Sequence, residues 1–289
     1  MAPTITVQVV GALRDWGWSD FRQPLSIDSP TMPHDDGNPV PTTPGSILVL
    51  FDIDGTLIRT GGAGVRGMDT AFERLHGRQG ALQGVRVGGR TDRAILTEVF
   101  GKWDEALNEA HVPPLRDHYL EELERELAVG GGPGFGVLPG VVDALDALAS
   151  DPTFIVGLLT GNFERGAEIK LARFDLWHRF AFGAFGDTHV DRRDLVPVAL
   201  CRAHDLGMVP SRVVIVGDTP LDVDCAHAHG ACAVAVATGD YGVDELEATG
   251  AEIVAPTLTA LHPITTRLRA MWTRDDSEAG LRLADRDRA

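Results

Sequence analysis

The chain has 289 residues, of which 44% are hydrophobic and 24% charged, and its formal net charge is −16. This length suffices for one core domain with an inserted lobe, and the composition is that of an ordinary globular protein. The negative charge argues against nucleic acid or an anionic membrane as a partner. The sequence contains no run of about 18 apolar residues. Because the N-terminal stretch shows neither early basic residues nor a clear cleavage site, we expect that the protein is not secreted. Its three cysteines are few and odd in number, so we expect them to be reduced and the protein to be cytoplasmic.

The N-terminal segment carries no strand pattern. It is rich in proline and turn residues from Pro24 to Pro44, after a mixed stretch that contains Trp16 and Trp18. We expect residues 1–45 to form a flexible extension. The alternative is that the two tryptophans dock on the domain or mediate self-association.

The first strand pattern is a short aliphatic run, Ile47 to Phe51, bounded by glycine on both sides. Such a run predicts a fully buried strand. Asp52 and Asp54 follow where this strand ends, and residues two apart in a strand project to the same side. Two carboxylates that face one point make the oxygen-rich site that Mg²⁺ prefers. An ordinary Asp-Gly turn after a strand is the alternative.

About a hundred residues separate this strand from the next strand pattern, which is far more than one crossover connection needs. Two glycine-rich stretches, 61–64 and 130–136, bracket the excess and suit hinges. Between them, apolar residues recur with helical spacing over 68–75, 94–100 and 115–127. We therefore predict a helical insertion.

A polar and flexible loop, Gly88 to Arg93, interrupts the helical patterns of this insertion. Arg90 in this loop is a candidate contact for an anionic substrate. The alternative is a plain helix N-terminus with Thr91 or Asp92 as its cap. The sequence leaves both interpretations open.

Two later strand patterns also end in polar residues. The run Phe154–Leu159 closes on Thr160, Gly161 and Asn162. The run 213–217 closes on Asp218, and Asp222 follows four residues later at the start of an alanine-rich helical pattern. In open parallel sheets, ligands bind beyond the carboxyl ends of the strands, near the point where the strand order reverses. These polar groups are therefore expected to meet Asp52 and Asp54 at one edge of the sheet.

This arrangement resembles the haloacid dehalogenase-like hydrolase superfamily, and within it the phosphoglycolate phosphatase-like group, over about residues 46–256. The family motifs fall on Asp52-Ile-Asp54-Gly-Thr56 for the first, Thr160 for the second, and Gly217-Asp218 with Asp222 for the fourth. The resemblance implies an α/β fold with a Rossmann-like parallel sheet flanked by helices. It assigns this core to 46–60 and 137–272 and an all-helical cap to 61–136. Residues 273–289 lie outside the resemblance, and their dense alternation of Arg, Asp and Glu predicts a charged, solvated C-terminal tail.

The third motif departs from the family pattern. The family usually has a lysine here, whereas this chain has Asp191-Arg192-Arg193. Arg193 aligns best, and Arg192 is the alternative one residue away. An arginine supplies a fixed positive charge and a planar fork that matches phosphate oxygens. A solvated run of charges is the other interpretation of both arginines.

The resemblance implies Mg²⁺-dependent hydrolysis of a small phosphorylated metabolite. Asp52 would be the nucleophile that forms an aspartyl-phosphate. Asp54 would protonate the leaving oxygen and then activate water. The implied ligands of Mg²⁺ are Asp52, Asp54 through its backbone carbonyl, Asp218 and Asp222. The implied phosphate-binding residues are Thr160, Gly161, Asn162 and Arg193.

Several other functions remain open at this stage. The presence of Asp54 favours a phosphatase over a dehalogenase, because the dehalogenases of the superfamily lack an acid at that position. A phosphomutase or a pyrophosphatase can use the same scaffold, whereas a phosphonatase needs a cap lysine, for which Lys102 is the single candidate. A catalytically silent phosphate-binding module is a further alternative because the third-motif lysine is missing. A receiver domain is much shorter and carries no large cap. The substrate and the oligomeric state are not predicted.

Overall fold

The computed structural model of the chain describes residues 46–260 together with 265 and 266. The predictions for residues 1–45 and 273–289 therefore lie outside the described residues. Within the described part of the chain, no helix combines the length and the apolar character needed to cross a membrane.

The core is a six-stranded sheet in which every pair of neighbouring strands is parallel. Its strands are β1 (Ile47–Phe51), β4 (Phe154–Leu159), β5 (Gly183–Ala184), β6 (Arg212–Gly217), β7 (Cys232–Val236) and β8 (Ile253–Ala255). The spatial order is β5-β4-β1-β6-β7-β8. The chain thus extends the sheet on one side of β1 and then on the other, which places the reversal of strand order beside β1. Ligands bind at such a reversal in open parallel sheets.

The central strand β1 pairs with β4 and β6, with Val49 opposite Val156 and Val214. All five of its residues are buried. A strand that is buried on both faces reads as a continuous apolar run, which explains why the sequence predicted it. The helices of the core are α4 (Val141–Ala149), α5 (Glu164–Ala172), α6 (Leu195–Asp205), α7 (Pro220–His227) and α8 (Val243–Glu247). The predicted α/β sheet flanked by helices is confirmed.

The core helix α4 buries one apolar stripe. In α4 the buried residues are Val141, Ala144, Leu145 and Leu148, the spacing of one helical face. The three cysteines are buried.

A helical insertion leaves the core through β2 (Ile58–Arg59) and returns through β3 (Gly136–Val137), and these two strands pair antiparallel. The residues between them are all described and contain no strand. They form α1 (Ala63–His76), α2 (Asp92–Lys102) and α3 (Val112–Val129). The three predicted helical stretches lie within these helices. Phe72, Phe100 and Leu123 are fully buried in a separate apolar cluster of the insertion.

The two connections between core and insertion touch each other at glycines. A Cβ atom on Gly61 would lie 2.1 Å from the carbonyl oxygen of Gly131, and one on Gly132 would lie 2.9 Å from that of Gly61. Both glycines also have positive φ, at 58° and 94°. Only glycine permits this approach and these dihedral angles without strain.

Candidate active site

A cavity of about 480 Å³ lies between the carboxyl ends of the central strands and the helical insertion. This volume is typical of sites that bind small molecules. Its lining includes seven of the predicted site residues: Asp52, Asp54, Arg90, Thr160, Gly161, Asn162 and Asp218. The strand ends therefore meet as the sequence predicted.

Three carboxylates form a buried acidic cluster at the ends of β1 and β6. Each of Asp52, Asp218 and Asp222 offers an oxygen within 4.8 Å of the other two. The residue exposures are 4%, 4% and 2%. Thr56 Oγ1 donates to Asp218 Oδ1 over 3.0 Å, and Thr219 donates to Asp222 Oδ2 from its backbone N–H and its hydroxyl. Thr219 and Asp222 form the capping box of α7, so the start of that helix holds the carboxylate of Asp222 in place.

One guanidinium faces this cluster. Nη2 of Arg192 lies 2.9 Å from Asp52 Oδ1 and 2.6 Å from Asp222 Oδ1. It also donates to the carbonyl oxygen of Leu159 at the end of β4. From Nη1, the same side chain donates to the carbonyl oxygen of Gly89 in the insertion, over 3.2 Å. Arg192 thus joins two acids, a strand end and the insertion.

The single positive charge of Arg192 cannot balance three ionised carboxylates. Burial raises the pKa of Asp52 to about 6, although Arg192 opposes the rise. Burial, together with the charges of Asp222 and Asp52, raises the pKa of Asp218 to about 9. A divalent cation would remove this penalty, and carboxylate oxygens are the ligands that Mg²⁺ prefers. The three acids therefore fit an Mg²⁺ ion. A metal contact from the backbone carbonyl of Asp54 stays a prediction.

The end of β4 supplies a backbone donor. The N–H of Gly161 has no hydrogen-bond partner among the described residues, and Gly161 lines the cavity. Its carbonyl accepts from the N–H of Asp92 over 2.6 Å. A Cβ on Gly161 would lie 1.9 Å from the carbonyl oxygen of Arg90, so only glycine fits between core and insertion. Phosphate binding by Thr160 and Gly161 stays a prediction, with both residues beside the cavity.

Comparison with known proteins places this geometry in a family. The family model of haloacid dehalogenase-like hydrolases matches residues 49–227, which is more than half of the chain. The chain belongs to the haloacid dehalogenase-like hydrolases. The predicted family is therefore confirmed.

Named relatives lie within the same family. The N-acetylmuramic acid 6-phosphate phosphatase of Pseudomonas aeruginosa is 30% identical over 196 residues, 66% of this chain and 81% of that protein. The phosphoglycolate phosphatase of Agrobacterium fabrum is 26% identical over 223 residues, 76% of this chain and 92% of that protein. The crystal structure of a hydrolase from Pseudomonas syringae has a TM-score of 0.57 at 21% identity. The match covers 77% of this chain and 98% of the chain in that crystal structure. This likeness supports the fold described above.

The structure does not bring Arg193, the arginine that aligned best with the third motif of the haloacid dehalogenase-like family, to the acidic cluster. Its side chain is 51% exposed and pairs with Asp191 over 2.6 Å, and it does not line the cavity. Residues 192–194 form a turn of 3₁₀-helix, and the Asp191 carboxylate accepts from the N–H of Arg193 while also holding its guanidinium. Arg192, one residue earlier, faces the acids instead.

The side chain of Asn162 is engaged in hydrogen bonds within the site. Its amide nitrogen donates to Asp54 Oδ2 and to Thr160 Oγ1, both over 2.8 Å, and its oxygen accepts from Lys170 over 2.6 Å. The orientation of the amide follows from this network. Both amide N–H groups therefore already have partners, and phosphate binding by Asn162 stays a prediction.

Lys170 of α5 is a site residue that the sequence analysis missed. Its Nζ lies 2.6 Å from Asp54 Oδ2, and the residue is 4% exposed. Burial opposes the charged form, but Asp54 and two other groups outweigh it and raise the pKa of Lys170. One signal was available in the composition. Lys170 is one of two lysines among 26 basic residues, the other being Lys102.

Arg90 lines the cavity, but its guanidinium is engaged within the insertion. It pairs with Glu98 and donates to the carbonyl oxygens of Arg86 and Ala94. Thr91 caps α2 by accepting from the N–H of Ala94 over 3.0 Å, so the alternative interpretation of this loop as a helix N-terminus is confirmed. A substrate contact from Arg90 stays a prediction.

The same loop fastens the insertion to the core. Thr91 Oγ1 donates to the carbonyl oxygen of Val190 over 2.9 Å. The buried carboxylate of Asp92 accepts from the N–H of Phe163 over 2.7 Å. Burial raises the pKa of Asp92 to about 7, although Lys170 opposes the rise. Together with the contacts of Gly89 and Gly161, these bonds close the insertion over the strand ends.

Proposed function

We propose that this protein is a Mg²⁺-dependent phosphatase of small phosphorylated metabolites that works through an aspartyl-phosphate on Asp52. The observation that carries the proposal is the cluster of three buried carboxylates around Arg192, beside a cavity large enough for a metabolite. Two relatives that bear the names of phosphatases support it.

In this proposal the acidic cluster performs the first displacement. Mg²⁺ bound by Asp52, Asp218 and Asp222 would neutralise the phosphate charge that otherwise repels a carboxylate. An oxygen of Asp52 attacks phosphorus, and the bond from phosphorus to the ester oxygen breaks. Arg192 adds a fixed positive charge beside the nucleophile, and the N–H of Gly161 donates to a phosphate oxygen. Most of the rate enhancement in such a transfer comes from positioning and electrostatics.

Asp54 is assigned the proton transfers. In the first step it gives a proton to the departing ester oxygen. In the second step it takes a proton from the water that attacks the aspartyl-phosphate, which regenerates Asp52 and releases inorganic phosphate. Its side chain is 40% exposed toward the cavity. Its Oδ1 has no hydrogen-bond partner among the described residues, so one oxygen is available for the proton.

The helical insertion acts as a cap in this proposal. It covers the strand ends and excludes water, which favours transfer to the carboxylate over side reactions. The cap boundaries of 61–136, a cytoplasmic location and the absence of nucleic-acid partners belong to the same proposal. The substrate is a small phosphate monoester. The names of the relatives make phosphoglycolate and N-acetylmuramic acid 6-phosphate the first compounds to test.

The experiment is phosphate release from 4-nitrophenyl phosphate and from a panel of phosphorylated metabolites, with Mg²⁺ and with EDTA. Asp52→Asn is the test variant. Asp224→Asn is its control, because that acid lies on α7 with a side chain that is 59% exposed. The proposal requires Mg²⁺-dependent release that disappears in Asp52→Asn and persists in Asp224→Asn.

No release from folded, Mg²⁺-loaded protein would contradict the proposal and favour a silent phosphate-binding module. Isomerisation of a sugar phosphate without release would instead identify a phosphomutase. Cleavage confined to inorganic pyrophosphate would identify a pyrophosphatase.

A further inference from the structure

Lys170 and Asn162 converge on a single oxygen of Asp54. Nζ of Lys170 lies 2.6 Å from Asp54 Oδ2, and Nδ2 of Asn162 lies 2.8 Å from the same atom. The two donors are also joined to each other, because Nζ donates to Asn162 Oδ1 over 2.6 Å. The three side chains form a closed triangle in which each contact restrains the other two.

The two carboxylate oxygens of Asp54 have different surroundings in this triangle. Oδ2 accepts two hydrogen bonds, one of them from a cation, and such charge-assisted bonds are the strong ones. Oδ1 is left without a partner among the described residues, in a side chain that lines the cavity. The carboxylate therefore has one anchored oxygen and one oxygen directed to proton transfer.

The helical insertion completes the surroundings of Lys170. A Cβ atom on Gly64 of α1 would lie 3.4 Å from Lys170 Nζ and 3.6 Å from the hydroxyl of Tyr119 in α3. Asp92 of the insertion adds a negative charge that acts on the ammonium. Electrostatic contacts strengthen when water is excluded, so the anchor on Asp54 is strongest when the insertion is closed.

We propose that Lys170 is a positioning residue that, with Asn162, fixes the carboxylate of Asp54 so that its free oxygen meets the leaving group. This inference rests on the proposed phosphatase activity. It assigns to α5 of the core a part in proton transfer, separate from the metal and phosphate contacts of the other strand ends.

The test compares two esters that differ in their need for a proton. An alkyl phosphate expels a strongly basic alkoxide and depends on a general acid. 4-Nitrophenyl phosphate expels a weakly basic phenolate and does not. The value of kcat/KM reports the first displacement for both esters. We expect Lys170→Met to lower kcat/KM about 100-fold for the alkyl phosphate, a typical contribution of general acid catalysis, and less than about tenfold for the aryl phosphate.

Four further variants complete the design. Asp54→Asn is expected to show the same preference for the aryl ester, and Lys170→Met added to Asp54→Asn is expected to cause no further loss. Lys170→Gln, which keeps a hydrogen-bond donor and lacks the charge, repeats the test if Lys170→Met does not fold, as judged by circular dichroism. Lys102→Met is the matched control. That lysine is exposed, lies outside the cavity lining and donates to the carbonyl oxygens of Ala81 and Gln83.

Equal losses for both esters would overturn the inference, as would losses that add fully to those of Asp54→Asn. A loss expressed only in KM would assign Lys170 to substrate binding and would also overturn it. These outcomes leave the phosphatase activity of the wild-type protein intact. Failure of the wild-type protein to hydrolyse either ester would contradict the proposed function itself, and the inference with it.

Discussion

Arg192 donates from Nη2 to Oδ1 of Asp52 over 2.9 Å, and both side chains are buried. The other terminal nitrogen of the same guanidinium reaches the carbonyl oxygen of Gly89 in the helical insertion. A guanidinium presents five N–H donors in a rigid fork, whereas an ammonium is a compact point charge. An arginine at this position therefore contacts Asp52 and the insertion at once.

We expect Arg192→Ala to abolish phosphate release and to lower the free energy of unfolding by about 3–5 kcal/mol, because it leaves Asp52 and Asp222 buried without their cation. Arg193→Ala should leave the free energy of unfolding near its wild-type value and retain activity, since that side chain is half exposed. Activity assays and urea unfolding of both variants measure this contrast. An inactive Arg193→Ala beside an active Arg192→Ala would restore the original alignment of the third motif.

Metal binding should depend on pH through Asp218. Because the pKa of Asp218 is raised to about 9 in the metal-free site, this acid holds a proton at neutral pH that Mg²⁺ must displace. We expect the affinity for Mg²⁺ to rise as the pH increases toward 9, with release of protons on binding. Calorimetry at pH 7 in two buffers of different ionisation enthalpy measures the proton count. The same count with Asp218→Asn should approach zero, and a count of zero in the wild-type protein would contradict the prediction.

Asp92 should make the protein less stable as the pH rises. Its pKa is raised from 3.8 to about 7 in the folded state, so the folded protein binds more protons than the unfolded chain between about pH 4 and pH 7. The free energy of unfolding therefore falls across that window, and the contribution reaches about 4 kcal/mol above pH 7.

Asp92→Asn removes this contribution. Urea unfolding at pH 5 and pH 8 should show that the variant loses less stability than the wild-type protein over this interval. The control is Asp117→Asn, which changes a side chain that is 65% exposed in the same insertion. Its free energy of unfolding should differ between pH 5 and pH 8 by as much as that of the wild-type protein. If the stability of Asp92→Asn depended on pH as strongly as that of the wild-type protein, the carboxylate of Asp92 would not be the cause of the pH dependence.

The contact between insertion and core can be tested at adjacent glycines. Gly89 has a φ of 70°, and a Cβ atom there would lie 2.3 Å from Thr219 Oγ1, whereas one on Gly88 would meet nothing within 4 Å. We expect Gly89→Ala to hold the insertion away from the core and to lower kcat/KM at least tenfold, since small misplacements of a site are costly. The kcat/KM of Gly88→Ala should stay within about twofold of the wild-type value. Steady-state kinetics of the pair is the measurement, and equal effects would show that closure does not depend on this contact.

The sequence predicted the parts of the site that depend on local pattern. Asp52, Asp54 and Asp218 follow aliphatic strands directly, and strand ends that meet at one edge follow from a parallel sheet. The choice between Arg192 and Arg193 could not be made in this way, because the rotation of one residue in a short turn decides which side chain faces the acids. Lys170 lies eight residues beyond Asn162 on a helix, where only the packed fold shows which face meets Asp54.

The connections at Gly61 and Gly132 touch each other, so both attachments of the insertion lie at one place. A rotation of the insertion about this place would displace Gly89, Thr91 and Asp92 together and would break their bonds to the core at the same time. Under the proposed function, a metabolite would enter or leave only with the insertion turned away. In that state Arg192 would be separated from Gly89, and Asp54 would be open to water.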